Sequence, residues 1–413
     1  MTRRVVVTGV GAVTAVGHNA EDTWQAMLAG RSGIDTITAF DPEPYPMRIQ
    51  AEVKGYELGD RVDAKQQRHM NRGVTFGVGA ALEALADSGL QITEENADMV
   101  GVIFGAGGGG TDLVVEYTHI LEEKGPRRIT PFLVANFIPD AVSGHIAIAT
   151  GARGPNMAIV SACATGGGTL GEAFETVRRG DADAIIAGSS EAVLLPIYHA
   201  TWCSMRALAS DNEHPTKALK PFDLNRDGFV AGEGGAAMIL EDLESAQARG
   251  ARIYCEVIGY GSSNDAYDMI ALHETGRGLK RAMKAAIRKA EIDPAIIDYI
   301  NPHGSGTPLN DRVETMVFKE IMGEAAYRTT VSSVKPITGH CMGAAGSVEA
   351  LACVMAIRDQ RVPPTINYTT PDPECDLDYV PNVARQRKVD VALTTSVGLG
   401  GHNSCVIFRR FEG

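Results

Sequence analysis

The sequence predicts an α/β fold built from two similar halves. Three observations carry this. Apolar runs repeatedly end in glycine-rich stretches and lead into helical periodicity, the pattern of strand, loop and helix. Arg252 to Gly261, RIYCEVIGYG, repeats the logic of Arg3 to Gly11: a basic start, an apolar strand, then G-x-G. The strand-to-helix turn around Cys163 has a counterpart around His340. A duplicated unit explains the echoes and divides the chain into residues 1–251 and 252–413.

Composition narrows the class. The chain of 413 residues is 44% hydrophobic and 22% charged, an ordinary globular mix with length for a sizeable core. A net charge of −13 argues against general nucleic-acid binding. The seven cysteines are scattered with no C-x-x-C pair, so neither a zinc ribbon nor a thioredoxin-like site is indicated. No metal ligand set is expected. Met1 leads straight into TRRVVVTGVG, which reads as a first strand and not a signal peptide. No apolar stretch is long enough to span a membrane. The expected setting is a reducing cytoplasm with free thiols.

Arg4 to Thr8 form a Val-rich strand that runs into Gly9-Val10-Gly11. Thr14 stands where a dinucleotide fingerprint needs its third glycine, so a tight strand-to-loop turn is expected. Asn19 to Leu28 read as a short helix. Lys65 to Arg72 give a second helix a basic start, and it continues through Val74, Val78, Ala81 and Leu82. In so acidic a chain that start is either a solvated face or a dock for an acidic partner. Met99 to Phe104 make a strand ending in the glycines of 105–110. No GK[ST] follows, so the glycines line a cavity or a close backbone contact and do not form a P-loop. Arg127 and Arg128 form a second basic pair.

The central stretch is Met157 to Gly168, MAIVSACATGGG. Its apolar start suits a buried strand, and Leu170, Ala173, Phe174 and Val177 mark the helix that follows. Cys163 therefore sits at a helix N-terminus. Unpaired N–H groups and the helix dipole there favour the thiolate, the reactive form. A buried, inert cysteine is the alternative.

Asp183 to Ala187 form a strand, then comes Gly188-Ser189-Ser190-Glu191. Asp223, Asn225, Asp227 and Gly228 match the opening of a calcium loop, but Gly234 stands where that loop needs Glu. A hydrogen-bonded turn before the strand Ala236 to Glu241 is expected instead. Ile297 to Ile300 lead into NPHGSGTP, where His303 lies just past a strand end among small residues, well placed to face a ligand; a structural histidine is the alternative. Thr330 to Val334 form a strand. KPITGHCMGAAG follows, then a helix through Val348, Leu351, Ala352 and Met355. His340 occupies in the second half the place of Cys163 in the first, so the two helix starts meet at one site. Thr394 to Asn403, TTSVGLGGHN, form a glycine-rich loop before a final strand.

On RVVVTGVG, SACATGG, RDGFVAGEG, NPHGSGTP, KPITGHCMGAAG and GLGGHN, the chain resembles the type II elongating β-ketoacyl-acyl-carrier-protein synthases over nearly its whole length. The resemblance implies a thiolase-like α-β-α-β-α sandwich of five layers, two similar halves with mixed sheets, and a homodimer. It implies that Cys163 accepts an acyl group, and that His303 and His340 stabilise the enolate formed when malonyl-carrier loses CO2. The product is a β-ketoacyl chain two carbons longer, as in fatty acid biosynthesis. The phosphopantetheine arm belongs to acyl carrier protein, and no cofactor of the enzyme's own is implied.

Further roles follow from the same resemblance. The N–H groups of Cys163 and Leu399 form the oxyanion hole, and Lys335, Asp311 and Glu314 form a charged network behind the histidines. Phe229 lines the malonyl side, while Ser305 and Thr307 bind the pantetheine arm. Lys65, Arg68, Arg127 and Arg206 dock the acidic carrier. The chain departs from the family pattern at Pro302, Gly306, Pro336, Val397, Leu399 and Gly108. Gly108 and Leu399 are expected to open the acyl tunnel to long or branched chains. A ketosynthase of a polyketide or other specialised acyl pathway would share these residues. A thiolase would need a second cysteine in the loop that here carries His402, and a non-catalytic partner subunit would lack Cys163.

Overall fold

The computed structural model describes residues 2–413. Fourteen strands occur among the described residues. They are β1 (Val5–Thr14), β2 (Ile34–Thr36), β3 (Ile49–Ala51), β4 (Val100–Gly105), β5 (Asn156–Met157), β6 (Ala184–Glu191) and β7 (Gly234–Asp242), then β8 (Cys255–Asn264), β9 (Tyr299–Asn301), β10 (Thr330–Val331), β11 (Arg361–Val362), β12 (Arg385–Gln386), β13 (Val391–Gly398) and β14 (His402–Arg409). Ten of them form one mixed sheet in the order β10-β9-β13-β14-β8-β1-β7-β6-β4-β5. The order is a palindrome. Each strand of the first half has its counterpart at the same distance from the centre, where β1 and β8 pair antiparallel through Val5↔Val257, Val6↔Glu256 and Val7↔Cys255. β4 runs parallel to β5 and β6, and β9 runs parallel to β10 and β13, as a duplication requires.

Helices complete five layers. The helix Arg72–Ser88 covers the outside of the first half and Arg277–Ala290 the outside of the second. Between the halves lie Thr165–Arg179 and Ala345–Asp359, the latter buried through Ile357. These two cross where side chains are missing: a Cβ on Gly346 would lie 2.6 Å from Gly167 N. The crossing brings both helix N-termini, one from each half, to the same place. The thiolase-like sandwich expected from the motifs is the fold observed.

The G-x-G echo has a different cause from the turn expected. Gly9 and Gly11 lie within β1, whose ten residues are all buried, and Gly259 and Gly261 lie within β8. The outer helices press directly on these glycines. A Cβ on Gly11 would come within 2.8 Å of Ala84 N, and one on Gly261 within 2.8 Å of Ala286 N. The repeat encodes close helix-on-strand packing, used once in each half.

Three other expectations are corrected. The basic stretch 65–72 does not run into one helix: Ala64–Gln67 is a separate short turn, and Asn71 restarts the chain by accepting the N–H of Val74 as an N-cap. The apolar run after Asn156 is not a buried strand. β5 has only two residues, at the sheet edge, and Met157 and Val160 are 41% and 50% exposed. The strand expected to end at Ala187 continues as β6 through Gly188 to Glu191. The calcium-like segment is a hydrogen-bonded turn, as expected. The Asp223 carboxylate accepts the N–H groups of Asn225, Thr369 and Thr370 at 2.8, 2.6 and 2.6 Å. No cluster of His, Cys, Asp or Glu able to hold a metal occurs among the described residues, and no helix among them is long and apolar enough to cross a membrane.

Candidate active site

Cys163 lies in a single 3₁₀ turn, Ala162–Ala164, that opens the helix Thr165–Arg179. Ala162 takes φ +50°, a left-handed conformation unusual for a residue with a side chain. The second half repeats this turn as Met342–Ala344, with Met342 at φ +46° and the helix Ala345–Asp359 after it. The counterpart of Cys163 is thus Gly343, not His340 as the sequence echo had it. His340 stands three residues earlier. It is held beside residues 230–232, donating its N–H to Val230 O at 2.7 Å and accepting the N–H of Gly232 at 2.8 Å.

His303 projects from the loop after β9. Glu314 clamps that loop: its two carboxylate oxygens accept the N–H groups of His303 and Gly304, each at 2.7 Å. Thr395 Oγ1 and Asn310 Nδ2 also donate to it, both at 2.9 Å. The imidazoles of His303 and His340 meet edge to face, with centroids 5.1 Å apart, and Phe229 packs on His340 at 5.4 Å. In both rings Nδ1 is enclosed without a partner, which leaves Nε2 to the cavity. Burial first, then the charge of Lys335, holds both histidines well below the ordinary imidazole range, so both are neutral.

Lys335 is buried behind the rings. It donates to the carbonyl of His303 and pairs with the carboxylate of Glu349, from the central helix. The expected partners of Lys335 are therefore corrected. Glu314 holds the His303 loop, and Asp311 accepts the N–H groups of Phe222 (2.8 Å) and Gly306 (3.2 Å) with Arg226 beside it at 3.8 Å. Burial raises the carboxyls of Glu314 to about 7 and Glu349 to about 8. Glu349 was missed, although a lone acid in the apolar run GSVEALACVM was a visible signal.

A cavity of about 400 Å³ joins these groups to the surface. Cys163, His303 and His340 line it together with Phe229, Ser305, Thr307 and Leu399, and Arg206 stands at its rim. Ser305 and Thr307 share a hydrogen bond of 2.9 Å. The N–H of Leu399 donates toward the Cys163 sulfur. Burial nevertheless pushes the thiol up to about 11, with Lys335 opposing and Glu191 adding to the rise. This desolvation opposes the shift toward thiolate expected at the helix N-terminus.

Gly108 does not line the cavity. A Cβ there would lie 2.9 Å from the Tyr198 hydroxyl and closer still to Val193, so neighbouring side chains fill the space that the glycine leaves. The tunnel opening expected at Gly108 is absent. Trp202 also lines the cavity and packs between Tyr198 (5.7 Å) and Phe229 (6.0 Å). Among the other departures, Gly306 has φ +77°, and a Cβ would lie 2.6 Å from Leu219 Cδ1, so serine has no room there. Val397 lines the cavity, and Pro336 opens the short helix Lys335–Thr338. Pro302 is buried just before His303. Lys65, Arg68, Arg127 and Arg206 are all exposed and form no salt bridge among the described residues; the first three lie away from the cavity.

Comparison with known proteins agrees with this geometry. The family model for the β-ketoacyl synthase N-terminal domain matches residues 2–246, and that for the C-terminal domain matches residues 254–369. A protein of Staphylococcus aureus (strain COL) named 3-oxoacyl-[acyl-carrier-protein] synthase 2 is 45% identical over 410 residues, 99% of each chain. One of the same name from Synechocystis sp. is 46% identical over 410 residues, again 99% of each. Among solved structures, a beta-ketoacyl synthase from Burkholderia phymatum has a TM-score of 0.92 at 31% identity, covering 99% of this chain and 100% of its own. A ketosynthase solved in complex with its type II PKS acyl-carrier protein and bound to a hexaketide has a TM-score of 0.90 at 33% identity, covering 100% of each chain. A half-buried cysteine on a strained turn, sharing a cavity with two neutral imidazoles, is thus set in the fold and the sequence of its relatives: the chain belongs to the β-ketoacyl synthase family.

Proposed function

We propose that this condensing enzyme elongates acyl chains held on acyl carrier protein through Cys163, His303 and His340. The thiol of Cys163 attacks the carrier-bound acyl thioester. Its proton passes to the departing pantetheine thiol, and a new thioester forms on the enzyme. The N–H groups of Cys163 and Leu399 hold the oxyanion of each tetrahedral intermediate. Malonyl-carrier then places its thioester oxygen against the two imidazoles. Because they are neutral, each can donate Nε2–H to the enolate that forms as CO2 leaves, without a proton having to be gained first. The enolate carbon attacks the acyl-Cys carbonyl, the sulfur departs, and the β-ketoacyl product stays on the carrier, two carbons longer. The pantetheine arm reaches the cysteine past Ser305 and Thr307, so the enzyme supplies no cofactor.

The observation that carries this reading is the convergence of one cysteine and two uncharged histidines, from different halves, on a single cavity. The exposed, unpaired Lys65, Arg68, Arg127 and Arg206 suit an acidic carrier. The edge strand β5, with Met157 and Val160 exposed beside it, suits a second copy of the chain, giving a homodimer. Seven free thiols suit the cytoplasm. In the division at 251/252 the first half carries the nucleophile and the second the histidines.

Fatty-acid elongation is favoured by the 45% and 46% identity to proteins named synthase 2, against 33% to the PKS ketosynthase. Steady-state turnover of saturated acyl-carrier and malonyl-carrier, read as β-ketoacyl product by mass, tests it. Turnover only with polyketide-type intermediates would favour a specialised pathway.

A further inference from the structure

The internal two-fold of the molecule relates two pairs of residues at its centre. β6 and β13 are counterparts of eight residues each, ending in Glu191 and Gly398. The turns of Cys163 and Gly343 are counterparts likewise. The end of each strand packs against the turn of the opposite half. Glu191 thus meets Gly343 as Gly398 meets Cys163, yet the two junctions are filled differently.

At the Gly343 junction the Glu191 carboxylate sits in a set of backbone donors. It accepts the N–H of Gly107 at 2.7 Å, of Gly108 at 3.1 Å and of Gly343 at 3.2 Å. Glu191 is 1% exposed, so these donors are occupied from within the protein. A Cβ on Gly343 would lie 2.6 Å from both a Glu191 oxygen and Gly107 N, so no side chain, and no nucleophile, fits there. At the Cys163 junction the corresponding position is bare. A Cβ on Gly398 would lie 3.1 Å from Cys163 N, 3.1 Å from Ala164 N and 2.8 Å from Ser161 O. Gly398 has φ −125°, an extended conformation open to any residue. Its glycine is therefore explained by the space it leaves and not by its backbone.

We infer that the two duplicated turns each present one N–H to the end of the opposite strand, the anion-binding set at Gly343 closed by the Glu191 carboxyl and the N–H of Cys163 held open by Gly398. Gly398 is a positioning residue: by lacking a side chain it keeps the Cys163 N–H available to a substrate oxyanion. Glu191 occupies the duplicate, so only one half of the molecule performs acyl transfer. The inference rests on the oxyanion assignment proposed above.

Two variants test it. In Gly398→Ala the methyl group crowds the Cys163 N–H. Acylation of Cys163 by acyl-carrier, which passes through an oxyanion, should fall by about 100-fold. Alkylation of the same sulfur by iodoacetamide, which forms no oxyanion, should stay within about threefold of the unmodified enzyme. Acylation at the unmodified rate, or an equal fall in both reactions, overturns the inference. Glu191→Gly empties the donor set at Gly343. Its melting temperature should drop and be restored by millimolar formate or acetate, while the unmodified protein, already closed, shows no response. A lowered melting point indifferent to both anions overturns the claim that the Gly343 set binds anions. Failure of the unmodified enzyme to become acylated at Cys163 at all would instead strike the proposed function.

Discussion

Lys335 and Glu349 form an ion pair sealed behind the imidazoles of His303 and His340, their side chains 1% and 2% exposed. The lysine also donates to the carbonyl of His303, so the pair fixes the loop that presents one ring and places a positive charge behind both. A buried pair is not by itself stabilising, but loss of one partner leaves the other charged and unsatisfied. Glu349→Leu and Lys335→Met should each lower the unfolding free energy by about 3–5 kcal/mol. The double variant should be less destabilised than the sum of the singles, and denaturant titration of all four proteins measures this.

The enclosed histidines set an acid limit on stability. Their folded pKa values lie well below the ordinary 6.5, so below that pH the unfolded chain takes up protons that the folded chain refuses. Their share of the stability is intact above pH 6.5 and falls below it, by about 1.4 kcal/mol per pH unit for each ring, until the folded pKa is reached. Glu191, Glu314 and Glu349, raised to about 7, 7 and 8, act with the opposite sign, losing stability as pH rises from the ordinary carboxylate range. The difference between the unmodified protein and His340→Asn isolates one ring. That difference should narrow the acid slope between pH 6.5 and 5, read from thermal unfolding.

At rest Cys163 is a thiol. Alkylation by iodoacetamide should therefore rise with pH toward an inflection near 11 and show none near 8. Lys335→Met removes the charge that opposes the rise, and should slow alkylation further at every pH below 10.

Trp202 lines the cavity and clusters with Val193 and Tyr198, which do not line it, so a smaller side chain there adds room on that side. Trp202→Leu should lengthen the chain accepted. The ratio of kcat/KM for long over short acyl-carriers should rise about tenfold, in keeping with 1–3 kcal/mol for each methylene admitted. A chain-length series with both proteins checks it.

Much of this was legible in the chain. The periodicity after Cys163 and His340 marked the two central helices, and the G-x-G echo marked the duplication. The motifs singled out the three residues that now share a cavity. What escaped was set by packing at a distance. Gly9 and Gly11 looked like a turn because nothing local shows that a helix some seventy residues later lies on them. The run after Asn156 looked buried because apolar residues at a sheet edge read the same whether or not a partner covers them. Gly108 looked like an opening because the side chains that fill its space, Val193 and Tyr198, come from the segment after β6, some ninety residues later. The thiolate was expected from the helix N-terminus, a local property. The desolvation that opposes it depends on the whole wall of the cavity.

The most direct measurement is a single-turnover experiment followed by peptide mass analysis. The enzyme is mixed with acyl-carrier alone, then with malonyl-carrier. The acyl mass should appear on the peptide bearing Cys163 and nowhere else, then vanish as CO2 is released and a β-ketoacyl-carrier two carbons longer forms; His303→Ala should take up the acyl group but fail to discharge it. An acyl group on another residue, or product formed with Cys163→Ala at the unmodified rate, would contradict the mechanism.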